Sequence, residues 1–232
     1  EPWPEEGFRK IITHISNIHF APTKDNRKIL ISEGIKAKNI YVTGNTVIDT
    51  IQKSLKYINN KNTKKKLDKK INDILGQDLK NFVLITIHRR ENFGKPFEKI
   101  CENINRISAI YKNLKFVYPV HPNPYVKKMA NLKFKKNKNI ILTKPMNYDI
   151  FLRMLTRCNF ILSDSGGIQE ECSVLNKFVI LLRNKTERPE IENKLVFVSG
   201  SDYKKFKKNF TFALSNKPFK KFSKVFGDGN SA

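Results

Sequence analysis

Short apolar runs alternate with amphipathic segments over residues 83–182, and this alternation constrains the fold more than any other feature. The runs occupy residues 83–87, 115–118, 139–142, 160–162 and 178–182. Between the first two, Phe97, Ile100, Ile104 and Ile107 recur every three or four positions, which is typical of an amphipathic helix. Short continuous apolar strands separated by helices predict a parallel sheet covered on both faces. We therefore expect one doubly wound α/β domain.

The flanking regions read differently. Periodicity predicts helices over residues 5–18 and 24–32 and a lone strand at 40–42, which would need partner strands that this chain does not supply. The charge run at 59–70 predicts a solvated loop or an exposed helix. In the tail, residues 202–224 mix lysine with phenylalanine, and the step from Phe206 to Phe210 and Leu214 favours core packing over base stacking.

The chain is strongly basic, with 45 Lys and Arg against 21 Asp and Glu and a formal net charge of +24. Such a balance suggests nucleic acid or an anionic surface. Lysine far outnumbers arginine, and Asn and Ile are also abundant, which indicates drift in codon usage rather than selection for bidentate phosphate contacts. We therefore expect no nucleic-acid partner, and no apolar run is long enough for a membrane partner. The three cysteines have no CxxC spacing and predict buried, reduced thiols in a cytoplasmic protein.

Polar, glycine-containing sequence follows two of the predicted strands. Residues 88–94 read HRRENFG and residues 163–171 read SDSGGIQEE. Ligands of open α/β sheets bind at the carboxyl ends of the strands, and backbone N–H groups at a glycine-containing helix start bind anions. An imidazole (His88) and an anion site (Ser165, Gly166, Gly167) in one crevice predict an enzyme that handles a phosphorylated substrate.

Three other side chains follow strands or enter the same helix. Glu171 lies one helical turn after the glycines, where a carboxylate can accept hydrogen bonds from ribose hydroxyls, and Arg188 follows the last strand, where it can neutralise a diphosphate. His121 is a further candidate for the crevice, whereas His14 and His19 read as structural.

Several common cofactor signatures are missing from the sequence. It contains no G-x-G-x-x-G fingerprint, no G-x-x-x-x-G-K-[ST] loop and no His, Cys and carboxylate cluster with metal-ligand spacing. We therefore expect chemistry that needs neither a redox cofactor nor a tightly held metal.

In combination, these stretches resemble the non-hydrolysing UDP-N-acetylglucosamine 2-epimerases, and the resemblance covers essentially the whole chain. The matching segments are 2–6 (PWPEE), 19–23 (HFAPT), 42–49 (VTGNTVID), 88–94, 117–124 (VYPVHPNP), 163–171, 186–190 (TERPE) and 227–229 (GDG). The resemblance implies a GT-B architecture of two facing Rossmann-like halves. It also implies that UDP-GlcNAc is converted to UDP-ManNAc by elimination and re-addition of UDP, in polysaccharide precursor synthesis.

The resemblance also assigns roles to residues. Glu5 matches a catalytic carboxylate, and His88 matches the histidine near the diphosphate and the reacting carbons. The residues that match substrate contacts are Ser165, Gly166 and Gly167 for phosphate, Glu171 for ribose, Arg188 for the nucleotide, and Met146 and Phe151 for uracil. Met146 would act through its backbone, since its side chain offers little hydrogen bonding.

Compared with that family, the chain lacks the N-terminal Arg, Lys, Asp and Glu of the active site and opens without a methionine. We therefore expect the later part of a longer protein: residues 1–45 a remnant of the N-terminal Rossmann-like domain, 46–215 the C-terminal UDP-binding domain, and 216–232 a truncated tail. Such a chain is expected to bind UDP weakly and not to epimerise alone. Its partners would be a UDP-sugar and either a second copy in a homodimer or a separately encoded N-terminal half.

Other functions remain open from the sequence. The hydrolysing relatives release UDP and free N-acetylmannosamine, and product analysis separates the two reactions. A GT-B glycosyltransferase fits the 88–94 loop less well. The non-enzymatic alternative is a basic nucleic-acid-binding module, which would bind random oligonucleotides in a salt-dependent way and would not bind UDP.

Overall fold

The five strands that the alternation of apolar and amphipathic segments predicts over residues 83–182 all form. The computed structural model of the protein describes residues 4–218 and 224–232. Within these residues the chain forms two compact units, one of residues 4–52 with 224–232 and the other of residues 53–218. The expected domain limits at residues 45 and 215 stay a prediction about the family fold.

The larger unit is an alternating α/β domain. Its strands are β3 (Phe82–Thr86), β4 (Lys115–Pro119), β5 (Ile140–Thr143), β6 (Ile161–Ser163), β7 (Val179–Leu181) and β8 (Val196–Val198). Its helices are α4 (Lys61–Leu75), α5 (Lys95–Ile110), α6 (Pro124–Phe134), α7 (Tyr148–Arg157), α8 (Gly166–Leu175) and α9 (Tyr203–Ser215). The predicted doubly wound α/β fold is thus confirmed, with strand ends that move by a residue or two.

All neighbouring strands of this sheet are parallel, and their order is β5-β4-β3-β6-β7-β8. The chain winds from β3 through β4 to β5 on one side and returns to place β6, β7 and β8 on the other. The order therefore reverses between β3 and β6. In sheets of this kind that reversal opens a crevice at the carboxyl ends of the two strands.

The core of this unit lies on both faces of the sheet. Four consecutive residues of β3 are buried, which requires cover on both sides of the strand. On α9, Phe210 is fully buried and its ring centroid lies 5.9 Å from that of Phe116 and 4.9 Å from that of Phe160. The predicted core packing of Phe206 and Phe210 is confirmed, whereas Phe219 and Phe222 of the same tail lie outside the described residues.

The smaller unit contains α1 (Glu5–Ile15), β1 (His19–Ala21), α2 (Lys24–Ser32) and β2 (Ile40–Val42), and it includes the start of α3 (Thr46–Asn59). The expectation of a lone strand is wrong, because β2 pairs in parallel with β1. A three-residue strand with one buried residue carries too little pattern to be recognised from sequence. The predicted first helix also ends earlier, at Ile15 rather than residue 18.

The last residues of the chain pack on this smaller unit. Asn45 donates its backbone N–H to the Phe226 carbonyl at 2.7 Å, and Ser231 N–H donates to Asp49 at 3.0 Å. A side chain on Gly44 would place its Cβ 3.0 Å from the Gly227 Cα. Both glycines have positive φ, so this close approach of two backbones depends on glycine.

Two further expectations have outcomes. The charge run is a helix, α4, whose buried face consists of Leu67, Ile71 and Leu75, so its lysines occupy the solvated face. The three cysteines are free and buried as predicted. None of the helices in residues 4–218 and 224–232 has the length and apolar character that crossing a bilayer requires.

Candidate active site

The two glycine-containing segments lie beside each other at the reversal point of the sheet. β3 and β6 are neighbours, with Thr86 opposite Ser163 in the register. The loop that contains His88 follows β3, and the turn from Ser165 to Gly167 follows β6. The hydroxyls of Thr86 and Ser163 are 2.7 Å apart and join the two strand ends. The structure therefore brings the imidazole and the anion turn to one edge of the sheet.

The backbone after β3 is held by the carboxylate of Asp164, which is fully buried at 0% exposure. His88 N–H donates to its Oδ1 at 3.0 Å, and Arg89 N–H donates to its Oδ2 at 2.9 Å. The side-chain amide of Asn92 donates to Oδ2 at 2.9 Å. Several donors aimed at one carboxylate are what a buried negative charge needs.

The His88 ring lies between a carboxylate and a second imidazole. Its Nδ1 is 3.6 Å from Asp164 Oδ1, and its ring stacks on His121 with centroids 5.1 Å apart and planes at 17°. Burial lowers the pKa of His88, and the neighbouring His121 and Arg89 act in the same direction, while Asp164 opposes them. The net shift is downward, so the neutral imidazole is favoured and can accept a proton.

The turn from Ser165 to Gly167 leaves the first N–H groups of α8 without a side-chain cap. Ser165 is the N-cap residue, and its side chain makes no capping hydrogen bond. A Cβ on Gly167 would meet nothing within 4 Å, so there is open space over this end of the helix. Uncapped N–H groups beside open space, at the positive end of the helix dipole, form a suitable anion site.

Two guanidinium groups lie near the same turn. A Cβ on Gly166 would be 3.6 Å from Arg89 Nη2 and 4.0 Å from Arg188 Nη2. Arg188 Nε donates to Glu170 Oε1 at 2.5 Å, which fixes its direction. Arg183, which is 4% exposed, pairs with Glu91 and with Glu187 and holds the loops after β3 and β7 together. The carboxylate of Glu187 lies at the same place, with its Oε2 3.7 Å from the Gly166 Cβ position. The site therefore combines a helix end with two guanidinium groups, of which Arg188 is held by Glu170, and guanidinium groups suit a diphosphate.

Glu171 is a buried carboxyl group on α8. Burial raises its pKa to about 7; a hydrogen bond from Tyr148 acts against this rise, and the neighbouring Glu170 adds to it. Tyr148 is the first residue of α7; burial raises the pKa of its hydroxyl, and the Glu171 carboxyl adds to that rise. The start of α7 is therefore next to Glu171, which is itself one turn from the anion site.

The two residues predicted to hold uracil, Met146 and Phe151, flank Tyr148. Met146 lies before α7, Phe151 lies in its second turn, and both are half-buried. Phe151 N–H donates to the Asn147 carbonyl at 2.9 Å, which starts the helix. Both residues are thus close in sequence to Tyr148, which hydrogen-bonds to Glu171, and their role toward uracil stays a prediction.

Comparison with known proteins gives the family of the chain. The family model described as UDP-N-acetylglucosamine 2-epimerase matches residues 1–232, the full chain. The chain belongs to the UDP-N-acetylglucosamine 2-epimerase family. It is 44% identical over 191 residues to the UDP-N-acetylglucosamine 2-epimerase of Campylobacter jejuni, an alignment of 82% of this chain and 50% of that protein. It is 39% identical over 211 residues to that of Neisseria meningitidis, with 90% and 56% covered.

Solved structures of the epimerase family agree with the fold. The structure of UDP-GlcNAc 2-epimerase from Neisseria meningitidis bound to UDP-GlcNAc aligns with a TM-score of 0.89 at 36% identity, covering 99% of this chain and 63% of that one. The Methanocaldococcus jannaschii UDP-GlcNAc 2-epimerase in complex with UDP-GlcNAc and UDP aligns with a TM-score of 0.86 at 34% identity, covering 98% and 62%. The chain thus spans about half the length of the curated epimerases it matches, 50% and 56% in the two cases above.

One predicted catalytic residue of the epimerase family lies in the smaller unit. Glu5 is the first residue of α1 and is exposed there. The other predicted site residues belong to residues 53–218. The structure therefore brings together the imidazole, the anion turn, Glu171 and Arg188, and it describes Glu5 only within its own unit.

Three residues that border the candidate site were not predicted from the sequence. They are Asp164, Arg89 and Tyr148, none of which was given a role. A signal existed for the first, because an aspartate directly after a buried strand is costly unless donors surround it. No sequence signal pairs Tyr148 with Glu171, since the contact depends on how α7 and α8 pack.

Proposed function

We propose that this chain forms the nucleotide-binding part of a UDP-N-acetylglucosamine 2-epimerase, an isomerase that converts UDP-GlcNAc to UDP-ManNAc. The observation that carries the proposal is the placement of His88 and the Ser165–Gly167 turn on adjacent strand ends. The related structure from Neisseria meningitidis is bound to UDP-GlcNAc and that from Methanocaldococcus jannaschii to UDP-GlcNAc and UDP, which supports the same ligand class for this chain.

The proposed reaction runs in two halves. A base removes the proton from C2, the C1–O bond breaks, and its electron pair leaves with UDP, which yields a 2-acetamidoglucal. A proton then returns to C2 on the opposite face, and the UDP oxygen adds again to C1. Both halves need a proton carrier at C2, and the first half also needs stabilisation of the departing diphosphate. No change of oxidation state occurs overall, so the scheme has no step for a redox cofactor.

The site residues fit these requirements as follows. We assign diphosphate binding to the Ser165 hydroxyl and the N–H groups of Gly166 and Gly167 together with Arg188, and ribose binding to the Glu171 carboxylate. The Ser165 N–H already donates to the Ser163 hydroxyl at 3.0 Å. We assign uracil to Phe151 and the Met146 backbone. We assign His88 to the junction of the diphosphate and the reacting carbons. Glu5 keeps the role that the family resemblance implies for it, that of a catalytic carboxylate.

A pair of matched variants tests the nucleotide site. Gly167→Ala places a methyl group in the open space over the helix end without backbone strain, because the φ of Gly167 is not positive. We expect normal folding and UDP binding weakened by about tenfold or more in calorimetric titration. Val174→Ala, on the same helix but away from the turn, is the control and is expected to bind UDP as the parent does. Equal UDP affinity in both variants would contradict the assignment of the anion site.

We further propose that the smaller unit is covered by additional polypeptide in the working enzyme. Its first helix exposes Phe8 at 60%, Ile11 at 61%, Ile12 at 58% and Ile15 at 77%, a row of large apolar side chains that water disfavours. The alignment covers only 63% of the related Neisseria structure, so that relative contains further polypeptide. We propose that its counterpart covers this face. A homodimer is the alternative arrangement.

Activity measurements separate these arrangements. The isolated chain is expected to bind UDP but to show no turnover, and turnover should appear only with the remaining family sequence supplied in trans. NMR analysis of the products then distinguishes UDP-ManNAc from free N-acetylmannosamine with UDP, the outcome of the hydrolysing reaction.

Salt-dependent binding of random oligonucleotides in the absence of UDP binding would favour the nucleic-acid alternative instead. A cytoplasmic location fits the free, buried thiols and belongs to the same proposal.

A further inference from the structure

Asp164 is a fully buried carboxylate that contacts the loop of His88 and directly precedes the turn from Ser165 to Gly167. Its side chain has 0% exposure, so its charge is neutralised by donors rather than by water. His88 N–H contacts both of its oxygens, at 3.0 and 3.1 Å, and Arg89 N–H contacts Oδ2 at 2.9 Å. Successive backbone N–H groups on one carboxylate fix the path of the chain at the residue that carries the imidazole.

A buried amide completes this arrangement. Asn92, at 6% exposure, donates to Asp164 Oδ2 at 2.9 Å and to the Leu182 carbonyl at 3.2 Å. The backbone N–H of Asp164 itself donates to the Thr86 carbonyl at 3.2 Å. Asp164 and Asn92 together therefore tie the loop that follows β3 to the ends of β3, β6 and β7.

The orientation of the His88 ring follows from its neighbours. Its Nδ1 faces Asp164 Oδ1 at 3.6 Å, longer than a hydrogen bond but close enough for charge attraction. On one face the ring stacks against His121, whose own Nδ1 accepts the Asn123 N–H at 3.2 Å. With one ring nitrogen turned to a fixed negative charge, the other nitrogen, Nε2, is the one left for a ligand.

We propose that Asp164 is a positioning residue for His88, holding the loop backbone and keeping the Nδ1 proton so that Nε2 faces the substrate. The role of Nε2 toward a substrate rests on the function proposed above. The geometric part of the proposal concerns only the imidazole and the carboxylate. The competing explanation is that Asp164 stabilises the fold alone and has no effect on the ring.

Three variants of the chain separate these explanations. Asp164→Asn removes the charge and keeps an acceptor oxygen of the same shape. Thr86→Val is the matched control, because it removes a hydrogen bond at the neighbouring strand end, the 2.7 Å contact with Ser163, without touching the loop. Asn92→Ala removes one donor from the carboxylate but keeps the charge, and it serves if Asp164→Asn does not fold.

The readout is NMR titration of the histidine rings, with His88 assigned from the signal lost in His88→Gln. The charged groups that face His88 are Asp164, His121 and Arg89, and of these only Asp164 raises its pKa. In Asp164→Asn we expect the His88 midpoint to move further down, and the ring nitrogen shifts to lose the preference for the Nδ1-protonated form. Thr86→Val should leave both at their parental values.

The variant Asn92→Ala is expected to shift the His88 midpoint in the opposite direction. In Asn92→Ala the carboxylate loses a competing donor, so we expect it to attract the protonated imidazole more strongly and the His88 midpoint to rise. A midpoint in Asp164→Asn that stays in place or rises, or one in Asn92→Ala that stays in place or falls, would overturn the proposal.

Titration with UDP separates this proposal from the proposed function. If Asp164 positions His88 in a nucleotide site, Asp164→Asn is expected to weaken UDP binding by about tenfold. If the His88 midpoint shifts in Asp164→Asn but the parent chain binds no UDP, the positioning role is supported and the proposed function is refuted. If the midpoint does not shift in Asp164→Asn but the parent chain binds UDP, the proposed function stands and the positioning role is refuted.

Discussion

The buried carboxyl of Glu171 gives a prediction in which stability and ligand binding move in opposite directions. Burial raises its pKa from 4.5 to about 7, so the folded protein holds a proton that the unfolded chain releases. Because this pKa is raised, stability from the group is fully present below pH 4.5 and declines as the pH rises to about 7. Each pKa unit corresponds to about 1.4 kcal/mol, so the full loss is about 3 kcal/mol.

Glu171→Gln removes this titration while keeping a side chain that can hydrogen-bond to Tyr148. The difference in unfolding free energy between the variant and the parent should be near zero below pH 4.5 and should grow to about 3 kcal/mol in favour of the variant above pH 7. The assay is urea unfolding followed by circular dichroism at a series of pH values. The two chains are compared at each pH, so other titrating groups cancel.

A control and a binding measurement complete the design. Glu98→Gln makes the same chemical change at an exposed carboxylate whose ion pair with Lys133 spans 3.3 Å, and such surface pairs contribute at most about 1 kcal/mol. Glu171→Gln should also weaken UDP binding by about tenfold above neutral pH, because an amide accepts ribose hydroxyl bonds less strongly than a carboxylate. A stability difference that is constant over the whole pH range would refute the reasoning about burial.

Three other outcomes are expected. Tyr148→Phe removes the hydrogen bond that lowers the pKa of Glu171, so the pH at which Glu171 titrates, followed by carboxyl NMR, should rise. Asp68→Asn should destabilise the chain by about 1 kcal/mol in urea unfolding at neutral pH and by less in acid, because Arg153 lowers the pKa of Asp68 through bonds of 2.8 and 2.9 Å. Phe210→Ala should lower the unfolding free energy by about 3–5 kcal/mol in the same assay, since the ring is fully buried; a loss below 1 kcal/mol would contradict its role in the core.

The alternation of strands and helices was predictable because it depends on local periodicity. α5 begins at Lys95, one residue before Pro96, as the fixed φ of proline favours, and α2 spans Lys24–Ser32 as predicted. Local signals missed a short segment and left a lysine-rich segment open between a loop and a helix. β1 has three residues, and α4 shows its apolar face only at Leu67, Ile71 and Leu75 among many lysines.

The placement of the candidate site was predictable from a general property of parallel sheets. Polar sequence after two buried strands predicts residues at one sheet edge, and His88 and Ser165 lie there on the adjacent strands β3 and β6. Their adjacency needed the strand order, which depends on how distant segments pair. The roles of the individual site residues stay predictions.

By itself the sequence determined the five strands of residues 83–182, the amphipathic helix after the first of them, and which loops carry polar groups, because these properties follow from side chains within a few positions of one another. Only the tertiary structure decided that Asp164 holds the backbone of His88 and that Glu171 is buried enough for its pKa to rise to about 7. Both depend on contacts between residues far apart in the chain and on the exclusion of water around them. Neither property is encoded in a local pattern, since both arise only when the sheet is assembled.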